Sequence, residues 1–411
     1  MSATSIDCRR VDALIDQHLD QLIEIRHDLH AHPQLGYQET YASGLVQREL
    51  TALGVPFQAG IAETGVVAWL RSDRHRRDNT DACIALRADM DALPLQEETG
   101  LSYASQHTGL MHACGHDGHT AMLIGAARVL AAMVDDLPRP VKLLFQPAEE
   151  GGAGAQRMID QGAMSTKVGG LRVTQVYGLH GHNEVTLGTM STRPGPLAAA
   201  AAIFQITLTG SGGHAAHPHS TRDPVVAGAQ LVTALQTIVS RNVDPTDSAV
   251  VTVAQLHAGT GDATNIIPAT AALAGTIRTL KGDTFDRVSQ RLQVLAEQIA
   301  AAFELAADVQ IQACYPCTDN DPAATAYAMD VARRVLGESN VEQMRAPLMG
   351  AEDFSFYTQH APACFAMLGL CPPDRDAYPN LHSPQFDFSD SAIRHGVALL
   401  CHWALAGGIE T

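Results

Sequence analysis

The chain has 411 residues, 46% of them hydrophobic and 17% charged, an ordinary globular mixture with length enough for two domains and a large core. Its formal net charge of −17 repels phosphate backbones and anionic bilayer faces, so neither nucleic acid nor a membrane is expected as a partner. The N-terminal stretch is charged from Asp7 onward and lacks the apolar core of a signal peptide, and the longest apolar run, near 197–204, is far too short for a bilayer; a cytoplasmic protein is the expectation.

The first part of the chain alternates helix-like and strand-like pieces. A helical region covering 22–29 ends near His32-Pro33. A short apolar strand at 83–87 leads to Asp89 and Asp91. After Gly118, Met122, Leu123, Ala126, Val129, Leu130 and Met133 recur at helical spacing. Strands at 141–145 and 173–177 run into QPAEEGG and GLHGH. This alternation predicts an α/β fold with a mixed, mostly parallel sheet. After Pro194-Gly195-Pro196 the pattern changes to strand 203–208, helix 223–241, strands 249–256 and 271–280, helix 284–303 and strand 309–313. That β-α-β-β-α-β order is the ferredoxin-like arrangement and predicts an inserted second domain at 194–314, flanked by 1–193 and 315–411 of the first. A last helix is expected from about Ser389 to Leu405.

Ligands gather beyond the carboxyl ends of strands in such sheets, and the polar clusters fall there. Strand 83–87 ends at Asp89 and Asp91, strand 141–145 at Glu149-Glu150, and strand 173–177 at His180 and His182. MHACGHDGHT, 111–120, adds Cys114 and His116, two apart and so on one side of an extended segment. A thiolate and an imidazole suit zinc or a neighbouring metal, although a buried cysteine beside core histidines is the plainer reading. Adjacent Glu149 and Glu150 repel each other unless a cation sits between them, and one can bind metal while the other acts as a base. His180 and His382 are each more often structural when taken singly; the accumulation of five donors at element ends favours a metal site. In the second domain TGSGGHAAHPH, 209–219, places His214 on a flexible glycine-rich loop or in a plain hairpin with solvated histidines, and Asn265 and Arg278 add an amide and a cation able to grip a carboxylate, unless Arg278 is a surface arginine on a strand. The eight cysteines follow no framework spacing, and C-x-x-C at Cys314 and Cys317 has no helix after it to activate a thiol.

Together these strings resemble the aminoacylase, hippurate hydrolase and indoleacetyl-amino-acid hydrolase family of dinuclear metallopeptidases. HDLHAHPQLGYQE (27–39), LRADMDALPLQE (86–97), MHACGHDGHTAML (111–123), LLFQPAEEGGAGAQRMI (143–159), GLH (178–180), GSGGHAAHPH (210–219), TNIIP (264–268), GTIRT (275–279), GAEDFSF (350–356) and NLHSP (380–384) match it in order. The resemblance implies a metal-binding catalytic domain carrying a smaller lid domain. It implies two divalent metals, zinc or manganese with cobalt or nickel as alternatives, bound by Cys114, His116, Glu150, His180 and His382, with the Cys114 thiolate shared. Glu149 becomes the general base, His214 the lid residue that steadies an oxyanion, and Asn265 and Arg278 the grip on a substrate carboxylate; Asp91 is expected beside the ligands. Asp89-Met90-Asp91 replaces the His-x-Asp of wider relatives, as in the cysteine-containing branch.

The activity so implied is hydrolysis of a small-molecule N-acyl amino acid, such as an N-acetyl or N-benzoyl derivative, to a carboxylic acid and a free amino acid. Lid closure would exclude water and bring His214 in. The alternatives are a dinuclear dipeptidase or carboxypeptidase and, less favoured, a non-catalytic metal sensor. A homodimer through the lid domain is the partner such relatives suggest.

Overall fold

Along the strand Ala82–Asp89 every residue from Cys83 onward is buried, on both faces of the pleat. Only a strand covered on both sides reads this way, and it lies in the middle of the main sheet. The computed structural model describes residues 8–259 and 261–410. The chain divides into two compact units, Met1–Leu197 with Asp319–Ala346 and Asp353–Thr411, and Ala198–Thr318 with Pro347–Glu352. The divisions fall a few residues beyond 193/194 and 314/315, and 347–352 joins the second unit.

The first unit is built on an eight-stranded sheet, in spatial order Phe57–Ile61, Gly65–Leu70, Val141–Gln146, Ala82–Asp89, Arg172–Thr186, Ala363–Cys371, Met190–Thr192 and Val341–Gln343. Its four central strands are mutually parallel, with antiparallel pairs toward the edges. This is the mostly parallel α/β sheet that the strand–helix alternation predicts. One expected boundary is wrong in an instructive way. The strand expected at 173–177 runs from Arg172 to Thr186, so His180 and His182 lie inside it and not past its end. Pairing with Ala82–Asp89 stops at Arg87 opposite Gly178, whereas pairing with Ala363–Cys371 continues through His180 opposite Met367. His180 therefore sits where the pairing with the neighbouring strand has already ended, toward the carboxyl side of the sheet.

The second unit has strand Ala200–Thr209, helix Pro224–Asn242, strands Ala249–Ala258 and Thr270–Thr279, helix Gly282–Ala302 and strand Ala306–Tyr315. The sheet order is 249–258, 270–279, 200–209, 306–315, antiparallel throughout. Its core joins Leu231, Leu235, Val288 and Leu292 of the helices to Phe204, Ile206, Leu208 and Leu273 of the sheet. No helix among the described residues is long and apolar enough to cross a membrane.

In the first unit, helices Cys8–Ala31, His116–Ala132 and Asp390–Leu405 pack together. The inner face of the first carries Val11, Ile15, Leu22 and Leu29, and on the same stripe Arg26 and His30, both fully buried. A buried cation persists only when paired. Arg26 Nε donates to Asp117 at 2.9 Å, Nη1 to Asp390 at 3.2 Å, and Nη2 to Asp387, while the Tyr103 ring lies 4.9 Å from its guanidinium carbon. His30 Nδ1 lies 2.8 Å from Asp117 and Nε2 3.3 Å from Glu97. Burial alone would lower the His30 pKa; Asp117 and Glu97 outweigh it and raise it to about 9.

Two consequences follow for stability. Arg26→Met leaves Asp117 buried without its main counter-charge and is expected to cost roughly 3–5 kcal/mol in chemical denaturation. A histidine raised from 6.5 to about 9 contributes stability that is whole below pH 6.5 and is lost as pH rises through 9. Wild type should therefore lose on the order of 3 kcal/mol between pH 6.5 and 9.5 that His30→Gln does not lose. Parallel pH profiles of the two proteins would dismiss the His30 pair as the cause.

Candidate metal centre

The residues from Met111 to Thr120 do not form the extended segment expected from their spacing. Gly115 is the N-cap of helix His116–Ala132 and has φ 89°, a left-handed value that a side chain resists, and a β-carbon there would meet the Phe388 ring at 2.9 Å. The turn, not a pleat, brings Cys114 and His116 together. His116 is the first residue of the helix and His119 lies one turn on. The ligand atoms of Cys114, His116 and His180 lie within 4.8 Å of one another, as do those of Cys114, Glu150 and His382. The two triads share Cys114, whose Sγ is 3.4 Å from His180 Nε2 and 3.3 Å from His382 Nε2. A further group joins His116, Glu149 and Glu150. All five expected ligands and Glu149 thus converge from four segments of the first unit.

Hydrogen bonds settle which histidine nitrogens are available. His180 Nδ1 lies 2.7 Å from the Gly181 carbonyl, an acceptor, so Nδ1 carries the proton and Nε2 presents its lone pair. His116 Nδ1 is 3.2 Å from Asp91 Oδ1, and its Nε2 is buried with no hydrogen-bond partner. His119 differs. Its Nε2 accepts the Gly181 N–H at 2.8 Å, and its Nδ1 lies 2.6 Å from Asp89. Both its nitrogens are engaged, so His119 braces the strand next to His180 and is not a ligand in this arrangement. Asp91 reaches both sides, accepting the Glu150 N–H at 2.9 Å through its other oxygen.

The electrostatics call for a cation. Asp89, Asp91 and Glu149 are buried and Glu150 is largely so. Arg87 offsets Asp89 and Asp353, at 2.7 and 2.9 Å. Burial pushes the Cys114 thiol well above its usual range, and the charges of Glu150, Glu149 and Asp89 push the same way. Burial would strip the His116 proton, yet Asp89, Asp91 and Glu150 raise it to about 10. Burial would likewise raise Glu150, but His382 and His116 hold it below the usual carboxylate range. His180 is driven well below its usual value by burial and then by His119, which keeps it neutral as ligation requires. A thiolate, neutral imidazoles and carboxylates would coexist here if divalent cations replaced the protons, so the donor set fits borderline metals.

His382 stands on a loop with φ 60°, its N–H bonded to the Ala113 carbonyl at 2.8 Å, and its Nε2 lies 3.1 Å from Glu150 Oε1. Glu149 Oε1 accepts the Asp353 N–H at 3.2 Å. The Asp353 carboxylate receives Arg87, Gln146 and the Ala155 N–H. Asp353 and His119 have no role in the expectations from sequence, and Asp89 enters them only as a polar residue at a strand end; the acidic pair in GAEDFSF is the signal that could have found Asp353.

His214, Asn265 and Arg278 belong to the second unit. His214 is not on a flexible loop: Gly213–His214 forms a two-residue strand paired with Ile266–Ile267. Gly212 permits this, because a β-carbon there would lie 2.5 Å from the Ile267 carbonyl oxygen. His214 Nδ1 accepts the Ala216 N–H at 3.0 Å, so the neutral ring presents Nε2–H as a donor. The Ala215 N–H bonds to the Asn265 carbonyl at 2.9 Å. Arg278 lies half-buried on the strand Thr270–Thr279. None of the eight cysteines is in a disulfide, Cys314 and Cys317 included.

Gly115→Ala is expected to destabilise by roughly 1–3 kcal/mol, because it forces a side chain into a left-handed turn. It should also lower the metal content of the purified protein. Unchanged metal content would show that this turn does not set the ligand positions.

The sequence profile of Peptidase family M20/M25/M40 matches residues 85–406. N-acetyl-L-cysteine deacetylase of Bacillus subtilis (strain 168) is 40% identical over 374 residues, 91% of this chain and 85% of that protein. IAA-amino acid hydrolase ILR1-like 4 of Arabidopsis thaliana is 38% identical over 384 residues, 92% of this chain and 84% of that protein. A Bacillus subtilis crystal structure described as a dinuclear metal binding peptidase of the M20 family superposes with a TM-score of 0.79 at 30% identity, covering 95% of this chain and 98% of that one. The shared strings, the mostly parallel sheet and these matches place the chain in Peptidase family M20/M25/M40.

Proposed function

We propose that this protein is a metal-dependent amidohydrolase that cleaves the amide bond of N-acyl amino acids to a carboxylic acid and a free amino acid. The observation that carries the reading is the pair of overlapping donor triads sharing Cys114, with Glu149 beside them. The activities for which the Bacillus subtilis deacetylase and the Arabidopsis thaliana IAA-amino acid hydrolase are named support it. Cys114, His116, Glu150, His180 and His382 would hold two divalent ions, zinc or manganese first among them, with Cys114 shared. Such ions supply Lewis acidity and a bound water of lowered pKa.

Glu149 takes a proton from the attacking water and returns it to the leaving amine. The Asp353 N–H fixes one of its oxygens while that happens. Asp91 holds His116 in the tautomer that offers Nε2, and the Gly181 carbonyl does the same for His180. His214 is the proposed donor to the oxyanion through Nε2–H, a role typically worth about 3–4 kcal/mol. Asn265 and Arg278 are the proposed grip on the substrate carboxylate, Arg278 by its two-pronged guanidinium. A homodimer through the second unit is supported by exposed Val225 and Val226 at the start of one helix and by exposed Leu256 on the edge strand Ala249–Ala258.

The test is amino-acid release from a panel of N-acyl amino acids and dipeptides. It uses metal-stripped protein resupplied with zinc, manganese or cobalt. N-acyl substrates should be cleaved only with metal, and Glu149→Ala should lower the rate roughly 100- to 10,000-fold with metal content intact. Release from dipeptides alone would replace this reading with a peptidase.

A further inference from the structure

The loop 147–154 carries Glu149 and Glu150 between two alanines in left-handed backbone, Ala148 at φ 52° and Ala153 at φ 53°. Such residues keep this conformation only where their surroundings impose it. Beside a backbone bond from the Gly154 N–H to the Ala148 carbonyl at 3.1 Å, three carboxylates grip the loop. Asp91 accepts the N–H of Glu150 and Asp353 that of Ala155. A third, Glu39, accepts the N–H of Ala148 at 2.8 Å, and its other oxygen takes the Thr64 hydroxyl. Glu39 is fully buried and lies at the N-cap of helix Thr40–Ala52, yet its side chain makes no capping bond to that helix. Its carboxylate serves the other chain segment.

The whole turn around Glu39 is shaped to that segment. A β-carbon on Gly36 would stand 3.0 Å from the Ala148 β-carbon, so glycine is what lets the two backbones approach. Tyr37, itself left-handed at φ 64°, donates its hydroxyl to the Gly152 carbonyl at 2.5 Å. Arg157 lies over the Tyr37 ring, 4.3 Å from its centre. Segment 36–39 thus holds both ends of the stretch that displays the two glutamates.

We propose that Glu39 is a positioning residue for proton transfer at Glu149: by holding the Ala148 N–H it fixes the left-handed turn that aims the Glu149 carboxylate. The proposal rests on the reading of Glu149 as the base. Glu39 acts through that residue and does not reach the reacting atoms.

The experiment is a double-mutant cycle on the metal-loaded enzyme, with metal content measured alongside kinetics. Glu39→Ala should lower kcat roughly 10- to 100-fold, with KM and metal content within about twofold of wild type. Glu39→Gln, whose amide oxygen can accept the same N–H, should return kcat to within about threefold. In the Glu149→Ala background, Glu39→Ala should change the residual rate less than about twofold, because the Glu149 carboxylate is no longer there to be aimed. An equal loss in both backgrounds, a failure of glutamine to restore kcat, or a loss that follows metal content overturns the proposal. Thr64→Val, which removes only the tether on the other oxygen, carries the same cycle if Glu39→Ala gives no folded protein; a loss that persists without Glu149 then overturns it. Full activity in Glu149→Ala would sink the base assignment itself, whereas full kcat in Glu39→Ala with an inactive Glu149→Ala would sink only the positioning role.

Discussion

The crowding of buried acidic groups at the carboxyl edge of the main sheet is the constraint on which the rest of this structure depends. Asp89, Asp91, Glu149, Glu150 and the Cys114 thiol crowd one buried region, and Arg87 answers only part of it through Asp89 and Asp353. Such a set is costly to bury unless protons or metal ions neutralise it. The donor cluster therefore forms a mould suited to cations.

The rigidity of that mould comes from parts of the chain that hold no ligand. Arg26 and His30 reach from the first helix to Asp117, immediately after His116, and Arg26 also reaches Asp387 and Asp390, a short way beyond His382. The segment 36–39 holds the glutamate loop, and His119 ties Asp89 to the backbone beside His180. Each brace joins residues far apart in sequence to a neighbour of a donor. Loss of a brace would shift a donor without removing it, and metal affinity and proton transfer are both steep functions of such shifts. This division of labour gives a physical reason for buried charge outside the donor cluster.

Much of this was legible in the residues. The strand–helix alternation marked the α/β sheet, the change of rhythm after Pro194 falls near the start of the second unit, and the donors near apolar runs are those that the candidate site gathers. The errors were local. The strand at 173 ran past His180 because its pairing with Ala363–Cys371 outlasts its pairing with Ala82–Asp89, a long-range fact without a local signal. The Cys114–His116 spacing suggested a pleat, but Gly115 made a left-handed turn into a helix. His214 looked mobile among glycines, yet those glycines admit a neighbouring strand.

The sequence by itself determined which donor types were present and in which order along the alternating elements, because residue identity and periodicity are properties of neighbouring residues. It also determined the excess of acid over base that calls for a cation. Only the tertiary structure decided which nitrogen of each histidine faces the centre, that His119 is a brace, and that Glu39 serves the loop at Ala148 and not its own helix. A proton's place on a ring and the aim of a carboxylate depend on partners dozens or hundreds of residues away. Those partners meet only when the sheet and its helices have closed around them.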